Sequence, residues 1–178
     1  MALFSYDILV ELKNTDLHAL SAYEAITDMM AFTSLIRLKR YRRLEITLDA
    51  NSQADGQKAV EGLIQNSFVL LNPNKERYTV YQKGSAMLTH NALPGQHVIC
   101  VDVKAHHTPD WSATLSTLNH KAAINITQLN AHIMWELIVA DDRPRDTVLQ
   151  DIAEKVVYTT SRKNGLLANP LYEDVALR

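Results

Sequence analysis

An internal repeat constrains the fold of this 178-residue chain more than any other feature of its sequence. Residues 126–139, ITQLNAHIMWELIV, align without a gap on residues 35–48, LIRLKRYRRLEITL, at an offset of 91. The same offset aligns VICVDVK at 98–104 with DILVELK at 7–13. A fixed offset between matching segments is the sequence signature of a duplicated structural unit. We therefore predict that the two halves share one topology.

A second pair of matching segments closes the two halves. LLNPNKE at 70–76 resembles LLANPLYE at 166–173, and both contain an Asn-Pro followed by a Glu three residues after the Pro. The offset here is 97, which implies a net insertion of six residues in the second half. We predict a first repeat at 1–83, a second repeat at 97–178, and between them a linker at 84–96 with two glycines and a proline.

Each repeat carries the same predicted elements, in the order β-α-β-α-β. The first strand alternates apolar and charged residues, and a long strand near residues 44–48 does the same, as strands with one buried face require. Helices are predicted to begin near Asp16 and behind Asp146, where apolar residues recur at helical spacing. We expect Pro73 and Pro170 to end the second helix of each repeat, since proline donates no helical hydrogen bond.

The resulting fold class is α+β, with two tandem ferredoxin-like units. If both helices of a unit cover one face of its sheet, the other face is left bare. Two units can bury those bare faces against each other. The sequence therefore predicts a pseudo-dimer with its sheets packed together.

Composition excludes several classes of protein. The formal net charge is only -2 with 47% hydrophobic residues, so no strong charge bias indicates nucleic acid as a partner. The first apolar stretch lacks a basic region before it and is interrupted by Asp7 and Glu11, which argues against a signal peptide or a membrane span. Cys100 is the only cysteine and cannot form an internal disulfide. A cytoplasmic protein is expected.

One cluster of charge stands out as a candidate binding site for an anion or a partner. The segment RLKRYRR at 37–43 holds five cations, whereas the matching segment of the second repeat holds none. A solvated strand face explains such a run equally well, and both alternatives stay open. The functional alternative is an acidic partner surface or a phosphate. The five residues are Arg37, Lys39, Arg40, Arg42 and Arg43.

No catalytic group, metal site or cofactor is predicted. The five glycines are scattered, so no phosphate-cradling loop is expected. Cys100 falls within a strand and is expected to be a small buried residue, and His106-His107 is expected to be a surface loop. His132 is predicted to be an exposed strand residue.

The chain resembles PurS, the small subunit of phosphoribosylformylglycinamidine synthase. That family closes with a Leu-Leu-Ala-Asn-Pro-x-x-Glu-Asp motif, and its long strand carries an Arg-x-Gly-Lys-x-x-Glu-Leu pattern. Here Tyr41 and His132 replace the family's glycine, and its Asp-Pro-Gln-Gly segment is missing. The matching segments are VELK, KRYRRLEI and LLNPNKE in the first repeat, and VDVK, NAHIMWEL and LLANPLYED in the second.

This resemblance implies a function without catalysis. The chain would be a fused PurS pair that bridges the glutaminase and synthetase components of the synthase and keeps ammonia within the complex, with homo-oligomers possible and no role for membranes or nucleic acid. The alternative is a free-standing module that binds a small ligand or regulates another protein. The turn after the first strand of each repeat lacks glycine, which weighs against this alternative. An enzyme on the open sheet face is the third hypothesis.

Overall fold

The two halves of the chain form the same order of elements, as the repeat predicts. A computed structural model of the chain describes residues 2–85, 92–107, 109–122, 124–161 and 164–178. The fold class is α+β. The first half contains β1 (Ala2–Leu12), α1 (Leu17–Glu24) with a π-helical continuation (Ala25–Met29), β2 (Leu35–Ala50), α2 (Gln53–Ser67) and β3 (Glu76–Gln82). The second half contains β4 (Gln96–Ala105), α3 (Ser112–Ala122), β5 (Ile126–Ala140), α4 (Arg145–Ile152) with a π-helical continuation (Ala153–Val157), and β6 (Glu173–Leu177).

The strands join into one six-stranded sheet in the order β3-β1-β2-β5-β4-β6. Strands β1, β2 and β3 of the first half correspond to β4, β5 and β6 of the second. With that correspondence, the strand order is the same from either edge of the sheet. The long strands β2 and β5 are adjacent, with Ala140 N–H donating to the Ser34 carbonyl at 2.9 Å and Asp49 N–H donating to Asn125 at 3.0 Å. Residues 86–91 of the predicted linker lie outside the described residues.

Strand pairing corrects the repeat alignment at the first strand. Ile46 lies opposite Tyr6, and its counterpart at an offset of 91, Leu137, lies opposite Ile99. Likewise Glu76 lies opposite Leu12, and its counterpart at 97, Glu173, lies opposite Ala105. Both pairings place β4 at an offset of 93 from β1, so the predicted gapless offset of 91 is wrong there by two residues.

The compact units of the structure do not follow the boundaries of the sequence repeats. Strands β2 and β5 each contribute to both units, and the first helix of each repeat belongs to the unit built mainly from the other repeat. Unit 1 comprises residues 1–14, 42–87 and 108–131, and unit 2 comprises residues 15–41, 88–107 and 132–178.

Unit 1 has its core between the sheet and two helices. Alternate residues of β1 and β2 pack against α2, and Leu118 of α3 joins the same cluster. Ser52 begins α2 by accepting the Asp55 N–H at 3.2 Å, which satisfies one of the free donors of the first turn. The strand residues of this core are Tyr6, Ile8, Val10, Leu44, Ile46 and Leu48.

Unit 2 has a separate core of the same kind. Here α1 and α4 pack on β4, on the second half of β5 and on the start of β2. Asp16 caps α1 by accepting from His18 N–H at 2.9 Å and Ala19 N–H at 3.3 Å, so the helix begins where the sequence predicts. Because only residues 30–34 separate this helical segment from β2, α1 stays with the first residues of that strand. Strand β2 has 16 residues, and at about 3.3 Å per residue it is long enough for its first residues to belong to unit 2 and its last residues to unit 1.

The Asn-Pro segments do not end the second helices, contrary to the sequence prediction. Helix α2 ends at Ser67, where Phe68 adopts a left-handed conformation with φ 49°. The π-helical segment after α4 ends at Val157, and Tyr158 is extended. Pro73 and Pro170 follow later and serve a different turn.

Candidate functional site

The five predicted cations differ in their contacts and in their burial. Arg37 is exposed, and Lys39 lies 5.7 Å from the ring centroid of Tyr41. Arg42 contacts both carboxylate oxygens of Glu76, at 3.2 and 3.3 Å. The run also divides after Tyr41, its first part belonging to unit 2 and its last two residues to unit 1.

Arg43 is buried, so the expectation of an exposed binding residue is wrong at this position. Its residue is only 6% exposed, and its guanidinium donates to Asp7 at 2.8 and 3.0 Å. Glu45 lies 3.4 Å from the same group. An arginine in this setting is paired with carboxylates of unit 1 and is not exposed to a ligand.

Arg40 borders a cavity. This cavity, of about 300 Å³, lies within unit 2 among α1, β2, β5 and the segment before the second Asn-Pro. We call it the Arg40 pocket. Its lining includes His18, Ser21, Ala22, Arg40, Trp135, Leu166 and Leu167.

The Arg40 guanidinium is held by two weak contacts. It lies 5.9 Å from the ring centroid of Trp135, a cation-π distance, and 3.6 Å from Oδ2 of Asp16. The other oxygen of Asp16 is occupied in capping α1. Because the Arg40 side chain is 31% exposed and this ion pair is long, a carboxylate or phosphate entering the pocket can form shorter, bidentate contacts.

The aliphatic wall of the Arg40 pocket is positioned by Gly165. This glycine has φ +78°, and a Cβ there would lie 1.7 Å from the carbonyl oxygen of Tyr158. The next residue, Leu166, donates its N–H to Val156 at 2.8 Å. The close approach therefore fixes Leu166 and Leu167 against the helical segment that ends at Val157.

The Asn-Pro-x-x-Glu segments form the same turn in both repeats. In the first, Asn72 N–H donates to Glu76 Oε2 at 2.7 Å, and Asn72 Oδ1 accepts from Asn74 N–H at 3.0 Å. In the second, Asn169 N–H donates to Glu173 Oε2 at 2.7 Å, and Asn169 Oδ1 accepts from Leu171 N–H at 3.0 Å. We call these the closing turns, since each one leads directly into the last strand of its repeat.

The face of β4 and β5 opposite α1 and α4 carries four polar side chains, Cys100, Asp102, His132 and Glu136, which alternate along the strands with core residues of unit 2. Cys100 is buried as the sequence predicts, and burial raises its thiol pKa to about 11, with Glu136 and Asp102 adding to the effect. The thiol is therefore protonated at neutral pH. His132 is not the exposed residue that was predicted, since its side chain is 6% exposed and its Nε2 lies 3.4 Å from Asp102.

Nothing in the sequence predicts that these residues meet at one pocket. Trp135 has no distinguishing pattern around it, Leu166 belongs to the LLANPLYE segment that resembles the PurS closing motif, and Asp16 is predicted only to begin a helix. A tryptophan on the long strand could have been flagged as a stacking partner for a cation, but nothing local pairs it with Arg40, which lies 95 residues earlier.

Comparison with known proteins identifies no family for this chain. No protein-family model matches the chain, and no curated protein matches its sequence significantly. Within the described residues, His, Cys, Asp and Glu side chains form no group of three that could hold a metal ion. None of the helices in that part of the chain has the length and hydrophobicity needed to cross a bilayer.

Proposed function

We propose that this protein is a non-catalytic, PurS-like scaffold subunit that acts in the cytoplasm. In this role it bridges the glutaminase and synthetase components of phosphoribosylformylglycinamidine synthase in purine biosynthesis. The observation that carries the proposal is the closing turn. The motif on which the PurS resemblance rests most strongly forms matching hydrogen bonds, at 2.7 and 3.0 Å, in both repeats.

The proposal includes a pseudo-dimeric arrangement of two ferredoxin-like units, in which the two halves of the six-stranded sheet pack together through the faces opposite their helices. Burial on those faces supports it. Asp7 and Leu9 of β1 are at most 2% exposed, although helix α2 packs on the opposite face of that strand. Met134 and Glu136 of β5 are at most 1% exposed on the face opposite α1 and α4. Side chains this deeply buried need a cover on both faces of the strand.

The second closing turn and the Arg40 pocket together suit a contact with a partner protein. Leu171 and Tyr172 lie in that turn and are 76% and 64% exposed, and Leu166 nearby is 44% exposed and lines the pocket. Exposed apolar side chains beside a cation are typical of interaction surfaces. An acidic side chain of the partner would bind Arg40 while its neighbours cover the apolar residues.

Reconstitution tests the proposal. The chain is purified with the synthetase and glutaminase from its own source, and formation of formylglycinamidine ribonucleotide is measured with glutamine and with free ammonia. We expect a stable complex, a rise in the glutamine-dependent rate and a smaller rise with ammonia. The chain alone should show no hydrolase, transferase or redox activity.

A matched pair of variants assigns the contact. Leu171→Glu should weaken the complex, whereas Met29→Glu, at a residue 85% exposed that belongs neither to the turn nor to the lining of the Arg40 pocket, should not. If the glutamine-dependent activity is complete without this chain and neither component is recovered with it, the scaffold proposal is wrong. A ligand-binding or regulatory module would then be the better hypothesis.

A further inference from the structure

Strand β3 forms one end of the sheet, and half of its backbone groups point away from its neighbour β1. Lys13 N–H donates to the Lys75 carbonyl at 2.8 Å, and Lys83 N–H donates to the Ser5 carbonyl at 3.0 Å. Both are directly opposite pairs, so they belong to the hydrogen-bonded class of an antiparallel ladder. Because this class alternates along a strand, the odd-numbered residues of β3 bond to β1 and the even-numbered residues direct their N–H and C=O groups outward.

Two residues of this outer edge offer unpaired backbone groups. The N–H and C=O of Tyr78 and Val80 have no hydrogen-bond partner among the residues that the structure describes. Two devices that protect natural edge strands, proline and a β-bulge, are absent from residues 76–82. The central residues of β3, Tyr-Thr-Val-Tyr, all favour strands. Strand β3 is therefore suited to accept another strand at this edge.

The equivalent edge strand of the second repeat, β6, is less suited to pair with another strand. It has five residues, whereas β3 has seven. It begins with two acidic residues, and the Asp174 side chain is 78% exposed. Two antiparallel copies of β6 centred on Val175 would place the charge of Glu173 opposite Leu177, which is a poor cross-strand pair.

Strand β3 is complementary to a second, antiparallel copy of itself. When two copies are centred on Thr79, Tyr78 of each copy lies opposite Val80 of the other, and their outward backbone groups form hydrogen-bonded pairs. An aromatic residue opposite a β-branched one, and threonine opposite threonine, are favourable cross-strand pairs. On the face that carries Thr79, Arg77 lies opposite Tyr81 of the second copy, where a cation-π contact can form.

We propose that two copies of this chain associate through their β3 edges, antiparallel and centred on Thr79, so that β3 of each copy continues the sheet of the other. A twofold axis passes through this contact, and every pairing away from it therefore occurs twice. The association satisfies the outward backbone groups of Tyr78 and Val80. It involves neither the Arg40 pocket nor the second closing turn, and it requires no other protein, so its test is independent of the scaffold proposal.

The same register brings two lysines together just beyond the ends of β3. Lys75 of each copy lies opposite Lys83 of the other, and like charges in this position repel. Both residues are exposed, so water and salt screen the repulsion. This contact makes the register measurable, because reversing one of the two charges should strengthen the dimer.

Charge at the twofold axis tests the contact on the purified full-length chain, by sedimentation equilibrium over a range of protein concentrations. We expect a reversible monomer–dimer equilibrium. Thr79→Glu places two like charges side by side and should weaken the dimer at least about tenfold. Thr79→Lys should do the same, and an equimolar mixture of the two variants should restore dimers. The matched control is Ala176→Glu, at the exposed counterpart of Thr79 on β6, which should leave the dimer unchanged.

The lysine variants test the register through a gain of affinity, which loss of folding does not produce. Lys75→Glu should tighten the dimer about fivefold at low salt, and so should Lys83→Glu, because each converts two repulsions into attractions. The double variant restores like charges and should lose the gain. A chain that stays monomeric at every concentration, a dimer that Thr79→Glu leaves intact, or lysine variants without effect would overturn the proposal.

Discussion

Arg43 donates two hydrogen bonds to one carboxylate oxygen of Asp7, from its Nε at 3.0 Å and from a terminal nitrogen at 2.8 Å. Asp7 is 0% exposed and Arg43 is 6% exposed, so both members of this ion pair are buried in unit 1. Removing two charges from water is costly, and the pair compensates for it only while both members are present.

Loss of one member of this pair should therefore be far more harmful than loss of both. We expect Arg43→Met to lower the free energy of unfolding by about 3–5 kcal/mol, because it leaves the Asp7 carboxylate buried beside an apolar side chain. The double variant Asp7→Leu/Arg43→Met should recover most of that loss. Urea unfolding measures both. Arg77→Met, in the exposed pair with Glu11, is the control and should cost less than about 1 kcal/mol.

The two closing turns allow a matched comparison of one hydrogen bond in two settings. Glu173→Ala should cost about 1 kcal/mol through loss of the acceptor for Asn169 N–H. Glu76→Ala should cost more, because Glu76 also binds Arg42 at 3.2 Å. Thermal or urea unfolding of both variants gives the difference. Equal costs would mean that the contact between Arg42 and Glu76 contributes nothing measurable to stability.

The order of elements could be predicted from the sequence because it depends on local patterns. Alternation of apolar and charged residues predicted the strands, and apolar residues at helical spacing after Asp16 and Asp146 predicted two helices. The burial of Cys100 followed from its place within a strand. The ends of the second helices could not be predicted in this way. Phe68 takes a left-handed conformation. A helix end of this kind is predictable from sequence mainly where the residue is glycine or asparagine.

The error in the repeat alignment has a simple cause in strand geometry. Side chains alternate between the faces of a sheet with a period of two, so a shift of two residues leaves every apolar residue on the same face. Hydrophobic pattern therefore cannot distinguish an offset of 91 from one of 93. Only the pairing of Ile99 with Leu137 and of Ala105 with Glu173 settles it.

The binding groups were harder to predict because their partners are distant in sequence. Arg40 and Arg43 look alike in the segment RLKRYRR, yet one borders a pocket and the other is buried. What distinguishes them is Asp7 on β1 and Trp135 on β5, which reach them only through the sheet. The charges within a short stretch of sequence do not show which distant residue each arginine contacts.

Gly165 should tolerate no side chain. Both Gly165 and Gly84 have positive φ, at +78° and +88°, but a Cβ at Gly84 meets nothing within 4 Å. Gly84→Ala should therefore cost only the strain of a left-handed residue, about 1 kcal/mol. Gly165→Ala adds a clash with the Tyr158 carbonyl and should cost at least about 3 kcal/mol or prevent folding. Thermal unfolding of the two variants measures the difference. Similar melting temperatures would contradict the clash between a side chain at position 165 and the Tyr158 carbonyl.

Cys100 should be unreactive in the native protein. Burial raises its thiol pKa from 9.0 to about 11, which leaves almost no thiolate at pH 8. Iodoacetamide should label it slowly under native conditions and rapidly in denaturant, as mass spectrometry can follow. Because the folded pKa is the higher one, the stabilising effect of the neutral thiol is complete below pH 9 and is lost as pH rises toward 11. Rapid native labelling at pH 8 would contradict this burial.

Arg40 should affect partner binding more than folding. Its long ion pair with Asp16, at 3.6 Å with a side chain 31% exposed, is worth at most about 1 kcal/mol to stability. We expect Arg40→Gln to slow association with the synthetase or glutaminase and to make that association less sensitive to salt, because one attractive charge is removed. Surface plasmon resonance at several salt concentrations measures both, with the exposed Arg77→Gln as the control. An unchanged association rate and salt dependence would show that the Arg40 pocket is not the point at which a partner's acidic group binds.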